Sequence, residues 1–199
     1  MLMIVIHLQV ISIVLYKLGL SPQSATLLLF SSLFGSLINL PLFYLKSQSP
    51  SMTDMAILPQ RRGHRPGTTL ISLNIGGGFI PIAFSVFLIT QNHLPLLHIL
   101  MATGILSAVS YIASRPMAGL GIGMPLLLAP IAAAVVALLI NPVHAAPLAY
   151  ISGTLGVLTG ADLLRLRDIQ KMNIPAASIG GAGTFDGIFL TGMIAVLLT

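Results

Sequence analysis

Apolar residues dominate this chain and fall into seven stretches, at about 2–18, 24–45, 69–90, 95–113, 122–140, 145–164 and 175–199. A bilayer-spanning helix needs about 20 mostly apolar residues, and several of these stretches qualify. The pattern predicts an all-α fold: a polytopic transmembrane helical bundle of about seven spans, forming one integral-membrane domain over 1–199. The first stretch is interrupted by His7 and Gln9. No basic region precedes it and no clear small-x-small site follows, so it reads as a retained helix rather than a cleavable signal peptide. The last stretch is the least helix-like at its start, because PAASIGGAG (Pro175–Gly183) carries a proline and three glycines, all poor in a helix interior. A broken or re-entrant entry is expected there, with the final helix starting near Thr184, a good N-cap.

Charge supports this segmentation. Lys46, Arg61, Arg62 and Arg65 fall between stretches two and three, Arg115 between four and five, and Arg165, Arg167 and Lys171 between six and seven. Only Lys17 falls in the alternate loops. The positive-inside rule puts the eight on the cytoplasmic side of the cell membrane, with the N-terminus cytoplasmic and the C-terminus outside. The longest loop, about 46–68, is then cytoplasmic. Charged residues make up 7% of the chain and mean hydropathy is +1.01, against roughly 25% charged in soluble domains. The lipid bilayer is the expected partner. The net charge of +5 sits in short loops between apolar runs and does not point to nucleic acid. Cysteine is absent, which excludes disulfides, a thiol nucleophile and thiolate metal sites. His93, His98 and His144 read as interfacial, no metal-binding spacing occurs, and no cofactor is expected. Nothing in the sequence sets an oligomeric state.

The chain holds four carboxylates, Asp54, Asp162, Asp168 and Asp186, and no Glu. Asp54 lies in the long polar loop. An ionisable group inside a membrane is costly and is by default a functional hypothesis, which singles out Asp162 and Asp186. A continuous last helix would separate them in depth. A break before Thr184 instead puts Asp186 in a first turn, where the helix dipole favours a carboxylate, and lets it face Asp162 across the hairpin of stretches six and seven. Two close carboxylates share a proton, and such a pair can act as base and acid in hydrolysis or hold a proton or sodium ion in a transporter.

Structural readings stand beside these. Asp162 can pair with Arg165 and Asp168 with Lys171 at helical spacing. Ser152, Gly156 and Gly160 form a small-residue row suited to close helix packing, as do Gly183 and Gly187. Stretch three contains Asn74, Gly76, Gly77, Gly78 and Pro81, the mark of a broken helix of the kind that lines transporter sites. Asn74, Gly76, Gly77, Gly183 and Thr184 are therefore candidate ligand or ion contacts, although Asn39 and Asn74 also read as an interfacial hydrogen-bonding pair. The turn ASRPMAGLGIGMP (Ala113–Pro125) could offer backbone N–H groups and Arg115 to an anion. NIGGGFIP and SIGGAGTF share an Ile-Gly-Gly core, on stretches running in the same direction, so they do not form an inverted repeat.

AYISGTLGVLTGADLLRL (Ala149–Leu166), ASIGGAGTFDGIFLTG (Ala177–Gly192), LNIGGGFIP, ASRPMAGLGIGMP and SLFGSLINLP resemble the prokaryotic membrane family catalogued as domain of unknown function 1614. That resemblance implies a prokaryotic membrane protein and no particular activity. A second one concerns mechanism. Intramembrane aspartyl proteases of the presenilin and signal-peptide-peptidase type carry one Asp on each of two adjacent helices joined by a cytosolic loop. The second Asp follows a G-x-G-D motif. Asp162 and Asp186 are similar in placement, with Gly183-Thr184-Phe185-Asp186 in place of that motif and Ala161 where those proteases have Tyr. The resemblance implies Asp162 and Asp186 as catalytic residues acting on a transmembrane peptide. Three functions are thus expected: an intramembrane aspartyl protease-like hydrolase, a proton- or sodium-coupled transporter of a small solute, or a non-catalytic membrane scaffold.

Overall fold

The computed structural model describes residue 14 and residues 16–46, 67–117, 121–172, 174–181 and 185–199, with 185–190 as backbone only. Most of the expected first span and most of the 46–68 loop, with Asp54, His64, Arg61, Arg62 and Arg65, lie outside the described residues. So do Gly183 and Thr184.

The chain is mostly helical, but it is not all-α. In chain order it forms α1 (Pro22–Gly35), β1 (Asn39–Lys46), β2 (Thr68–Asn74), a π-helical turn (Ile75–Phe79), α2 (Ile80–Asn92) and α3 (Leu96–Ala113). A short ribbon of β3 (Arg115–Met117) and β4 (Gly121–Gly123) leads to α4 (Leu128–Ile140) and α5 (Ala145–Val157). A second π-helical turn (Leu158–Leu163), α6 (Leu166–Lys171), β5 (Ala176–Ile179) and α7 (Phe185–Leu198) complete it. Four expected spans therefore contain strand residues. The second splits after Gly35 into helix and strand. The third begins as a strand, the fifth begins within β4, and the last enters through β5.

The reasons are local. Thr68, Thr69 and Ile71 are β-branched and suit a pleated ladder. Pro41 cannot donate to a ladder, and it sits on edge strand β1 where the register slips between Pro41 and Phe43. The sheet order is β1-β2-β5, with β1 antiparallel and β5 parallel to β2. Leu70 pairs with Ala176 and Leu73 with Ile179. Pro175 and Gly180 bracket β5, so the entry to the last segment is extended, as its composition predicts.

α5 is the central helix and packs against α2, α3, α4 and α7. Its interior face is made of small residues. A Cβ on Gly153 would lie 2.9 Å from Thr191 Cγ2 of α7, and one on Gly160 would overlap the Ser107 carbonyl oxygen of α3. The row Ser152, Gly156, Gly160 thus serves close helix approach. Polar side chains such as Ser110, Ser152, Thr154 and Thr191 are buried. Large apolar ones such as Leu27, Phe34, Leu97, Leu100, Ile112 and Leu139 point outward. Among the described residues, Ile75–Asn92 and Leu96–Ala113 are each long and apolar enough to cross a membrane.

Candidate functional site

Asp162 belongs to the π-helical turn that ends α5. The wide turn is closed by the Leu164 N–H donating to Thr159 O at 2.9 Å. Single π turns inside helices occur often at functional sites because they re-aim a side chain. Asp162 is 4% exposed, and its Oδ2 accepts the Gly180 backbone N–H at 2.7 Å. The expected helical pair with Arg165 is not formed. The Arg165 guanidinium instead donates Nη1 to Asp168 Oδ2 at 2.8 Å, Nε to Ser114 Oγ at 3.1 Å, and Nη2 to Tyr111 O at 2.6 Å and Ser114 O at 2.7 Å. It also lies 4.1 Å over the Tyr111 ring. Arg165 therefore caps the C-terminal end of α3 with a cation, the charge that end favours, and ties α3 to the segment just beyond Asp162. The hydrogen bond from Arg165, with the Arg165 and Lys171 charges, holds the Asp168 carboxyl below its usual range. Lys171 Nζ is 3.5 Å from Asp168 Oδ1, the expected pair.

Gly180 is the counterpart of Asp162. Its φ is +69°, and a Cβ there would meet Gly77 C at 2.6 Å and Gly78 N at 2.7 Å. The turn after β5 thus rests directly on the peptide between Gly77 and Gly78. The adjoining Gly76–Gly77 peptide is held by Asn74, whose Oδ1 accepts the Gly77 N–H at 2.8 Å. Asn74 Nδ2 donates to Ser36 O at 2.7 Å and to Asn39 Oδ1 at 3.1 Å. Ser178 Oγ donates to the same Asn39 oxygen at 2.6 Å. Asn39, Asn74 and Ser178 therefore join all three strands of the sheet.

These groups line one cavity of about 420 Å³. Asp162, Asn39, Asn74, Ser36 and Ser178 form its polar wall. Ile71, Ile122, Ile169, Ile174 and Ile179 are among its apolar lining residues, and every residue of β5 borders it. Of the candidate contacts, Asp162 and Asn74 reach the cavity. Gly77 lies behind it as the seat for Gly180. Gly76 is pressed against α1, where a Cβ would overlap the Ser32 carbonyl oxygen and where Ser32 Oγ donates to Gly76 O at 2.7 Å. Arg115 is exposed on β3 and is not among the lining residues. Gly183, Thr184 and the Asp186 side chain lie outside the described residues. Gly180, Ser36 and Ser178 were missed by sequence reasoning. Gly180 alone had a signal, the repeated Ile-Gly-Gly.

The backbone gives the depth of Asp186. The Gly180–Asp162 bond and the Gly153–Thr191 approach make α7 antiparallel to α5. Asp186 precedes Thr191 by five residues and Asp162 follows Gly153 by nine. At 1.5 Å per residue the two Cα atoms differ in level by roughly 6 Å, about one helical turn.

No curated protein and no solved structure matches the chain. The family model described as "Protein of unknown function (DUF1614)" matches residues 33–198, and the chain belongs to that family.

Proposed function

We propose that the chain is a multi-pass protein of a prokaryotic cell membrane and acts as an intramembrane aspartyl hydrolase, with Asp162 and Asp186 as its acid pair. The membrane reading rests on the outward-facing apolar surface. Many leucine and phenylalanine side chains face outward around a core that is itself mostly apolar, and a soluble protein rarely exposes apolar surface on that scale. The orientation follows the basic loops: N-terminus and cavity mouth toward the cytoplasm, C-terminus outside.

One observation carries the hydrolytic reading. The last segment enters as strand β5 and its described helix is Phe185–Leu198, with Asp186 near the described start of α7 and about one helical turn from the level of buried Asp162. A continuous helix from Ile174 would have set them much further apart. In the proposed reaction one carboxylate takes a proton from a water whose oxygen attacks a peptide carbonyl carbon. The other, protonated, donates to the carbonyl oxygen. Collapse of the resulting gem-diol breaks the C–N bond and returns a proton to the leaving nitrogen. The substrate class is a transmembrane peptide.

The test uses a photoactivatable hydroxyethylene peptide isostere, a mimic of the tetrahedral intermediate, on protein in lipid nanodiscs. Labelling is expected for the natural chain and is lost in Asp162→Asn and in Asp186→Asn. Full labelling of Asp186→Asn contradicts the reading.

A second reading has its own support. Stretches three and seven are both broken, and their strands lie side by side at the cavity, a geometry used by ion-coupled transporters. It predicts pH- or sodium-dependent uptake of a small solute into proteoliposomes, abolished by Asp162→Asn; uptake unchanged across gradients would count against it.

A further inference from the structure

We propose that Asn74 is a positioning residue for Asp162, acting through the backbone of both glycine-rich junctions. Asn74 is 2% exposed and touches neither Asp162 nor the Gly180 N–H in any contact described above. It nevertheless controls both ends of the link. Its Oδ1 holds the Gly77 N–H and so fixes the Gly76–Gly77 peptide, which meets the Gly77–Gly78 peptide plane at the Gly77 Cα. Gly180 lies on that plane within van der Waals contact, and a Cβ on Gly78 would sit 3.3 Å from Ile179 O, a second point of contact between the junctions. The Gly180 N–H leaves this seat pointing at Asp162 Oδ2. The amide end of Asn74 is fixed in turn by Ser36 O and Asn39 Oδ1, so the side chain cannot rotate without losing three hydrogen bonds.

A buried carboxylate is orientated by the donors around it, and a donor on a turn is only as fixed as the turn's support. Asn74 therefore fixes the direction of the Asp162 carboxylate, with Gly180 as the intermediate. Because Asp162 is a member of the acid pair only on the hydrolytic reading, the catalytic consequence rests on that reading; the geometric one does not.

Backbone hydrogen exchange in lipid nanodiscs separates the two. Asn74→Ala is expected to speed exchange over 176–181 about tenfold or more while leaving Leu96–Ala113 unchanged. Asn74→Ser keeps a side-chain oxygen able to cap the Gly77 N–H and is expected to stay within about twofold of the natural chain. In the hydroxyethylene labelling assay, Asn74→Ala is expected to lose labelling by about tenfold, with Asn74→Ser restoring it. Unchanged exchange over 176–181 in Asn74→Ala overturns the inference, and so does a rise shared equally by Leu96–Ala113. Local exchange that rises as expected in a protein the probe never labels sustains the inference and overturns the hydrolytic reading.

Discussion

The junctions after β2 and β5 use nearly the same residues and solve different problems. After β2, Asn-Ile-Gly-Gly-Gly passes straight into a π-helical turn, capped by its own Asn74, with Gly76 pressed on the backbone of α1. This junction is self-contained. After β5, Ser-Ile-Gly-Gly has no asparagine at the equivalent place. Gly180 turns through positive φ, takes its support from the first junction, and gives its N–H to an acid on another element. The described helix beyond it is Phe185–Leu198. The difference teaches that a glycine run adjoining a parallel strand is not itself a site. The first is packing. In the second, a buried carboxylate from the π turn after α5 accepts the Gly180 N–H.

Substitutions can break this comparison, and the largest effects fall on the glycines. Gly76→Ala and Gly180→Ala each force a Cβ into backbone atoms, and Gly180→Ala adds the strain of a positive φ. Each is expected to cost about 3 kcal/mol or more, read as a fall in thermal midpoint in nanodiscs or as loss of folded protein. Gly104→Ala is the control, since nothing lies within 4 Å of its added Cβ; it is expected to be neutral or slightly stabilising. If Gly180→Ala matches Gly104→Ala, the second junction does not depend on its close seat.

Next comes the acid. Asp162→Ala leaves the buried Gly180 N–H without its acceptor and is expected to cost about 1–3 kcal/mol. The loss should appear in the exchange of 176–181 before that of α3. An equal loss in both would mean that Asp162 supports the bundle rather than the junction.

Arg165→Lys tests the other side of Asp162. Lysine keeps the charge but cannot make the forked contacts to Ser114, Tyr111 and Asp168, and a cost of about 1–2 kcal/mol is expected. A neutral result would show that charge alone caps α3.

The smallest effect is pH dependence at Asp168. Its folded carboxyl is held below the ordinary value by Arg165, so the stabilisation is complete above the unfolded value of about 3.9. It disappears as pH falls through the lower folded value. The natural chain should lose thermal stability relative to Asp168→Asn between about pH 5 and pH 2, by a few tenths of a kcal/mol for this half-buried, solvent-screened pair. Parallel pH curves for the two proteins would contradict the assignment.

Much of this was legible in the residues. The stretch 95–113 is α3 almost to the residue, and the proline and glycines of Pro175–Gly183 announced the broken entry to the last segment. Asp162 stood out because a carboxylate in so apolar a run demands a partner. The strands did not stand out. β1 reads NLPLFYLK, an apolar run with no alternation, and at that composition helix and strand share one signature. The partner of Asp162 was also hidden. Arg165 has an acid three residues away on either side, Asp162 and Asp168, so spacing alone could not choose between them. The π turn re-aims Asp162, and no periodicity rule anticipates it. Gly180 could be read only as one glycine among several, because its role depends on a register with β2 set by residues a hundred positions away.

The central claim is that Asp162 and Asp186 serve one site, and the missing cysteines allow a direct test. Asp162→Cys and Asp186→Cys would be introduced together, and Gly153→Cys with Thr191→Cys as a reference pair. A direct disulfide needs Cα atoms within about 7 Å, so a level difference of one turn calls for a short bis-methanethiosulfonate linker between the first pair. The account predicts efficient bridging within one chain for both pairs. Bridging of 153 with 191 but not of 162 with 186 would contradict it, since the two helices would then be in register while their acids face different volumes.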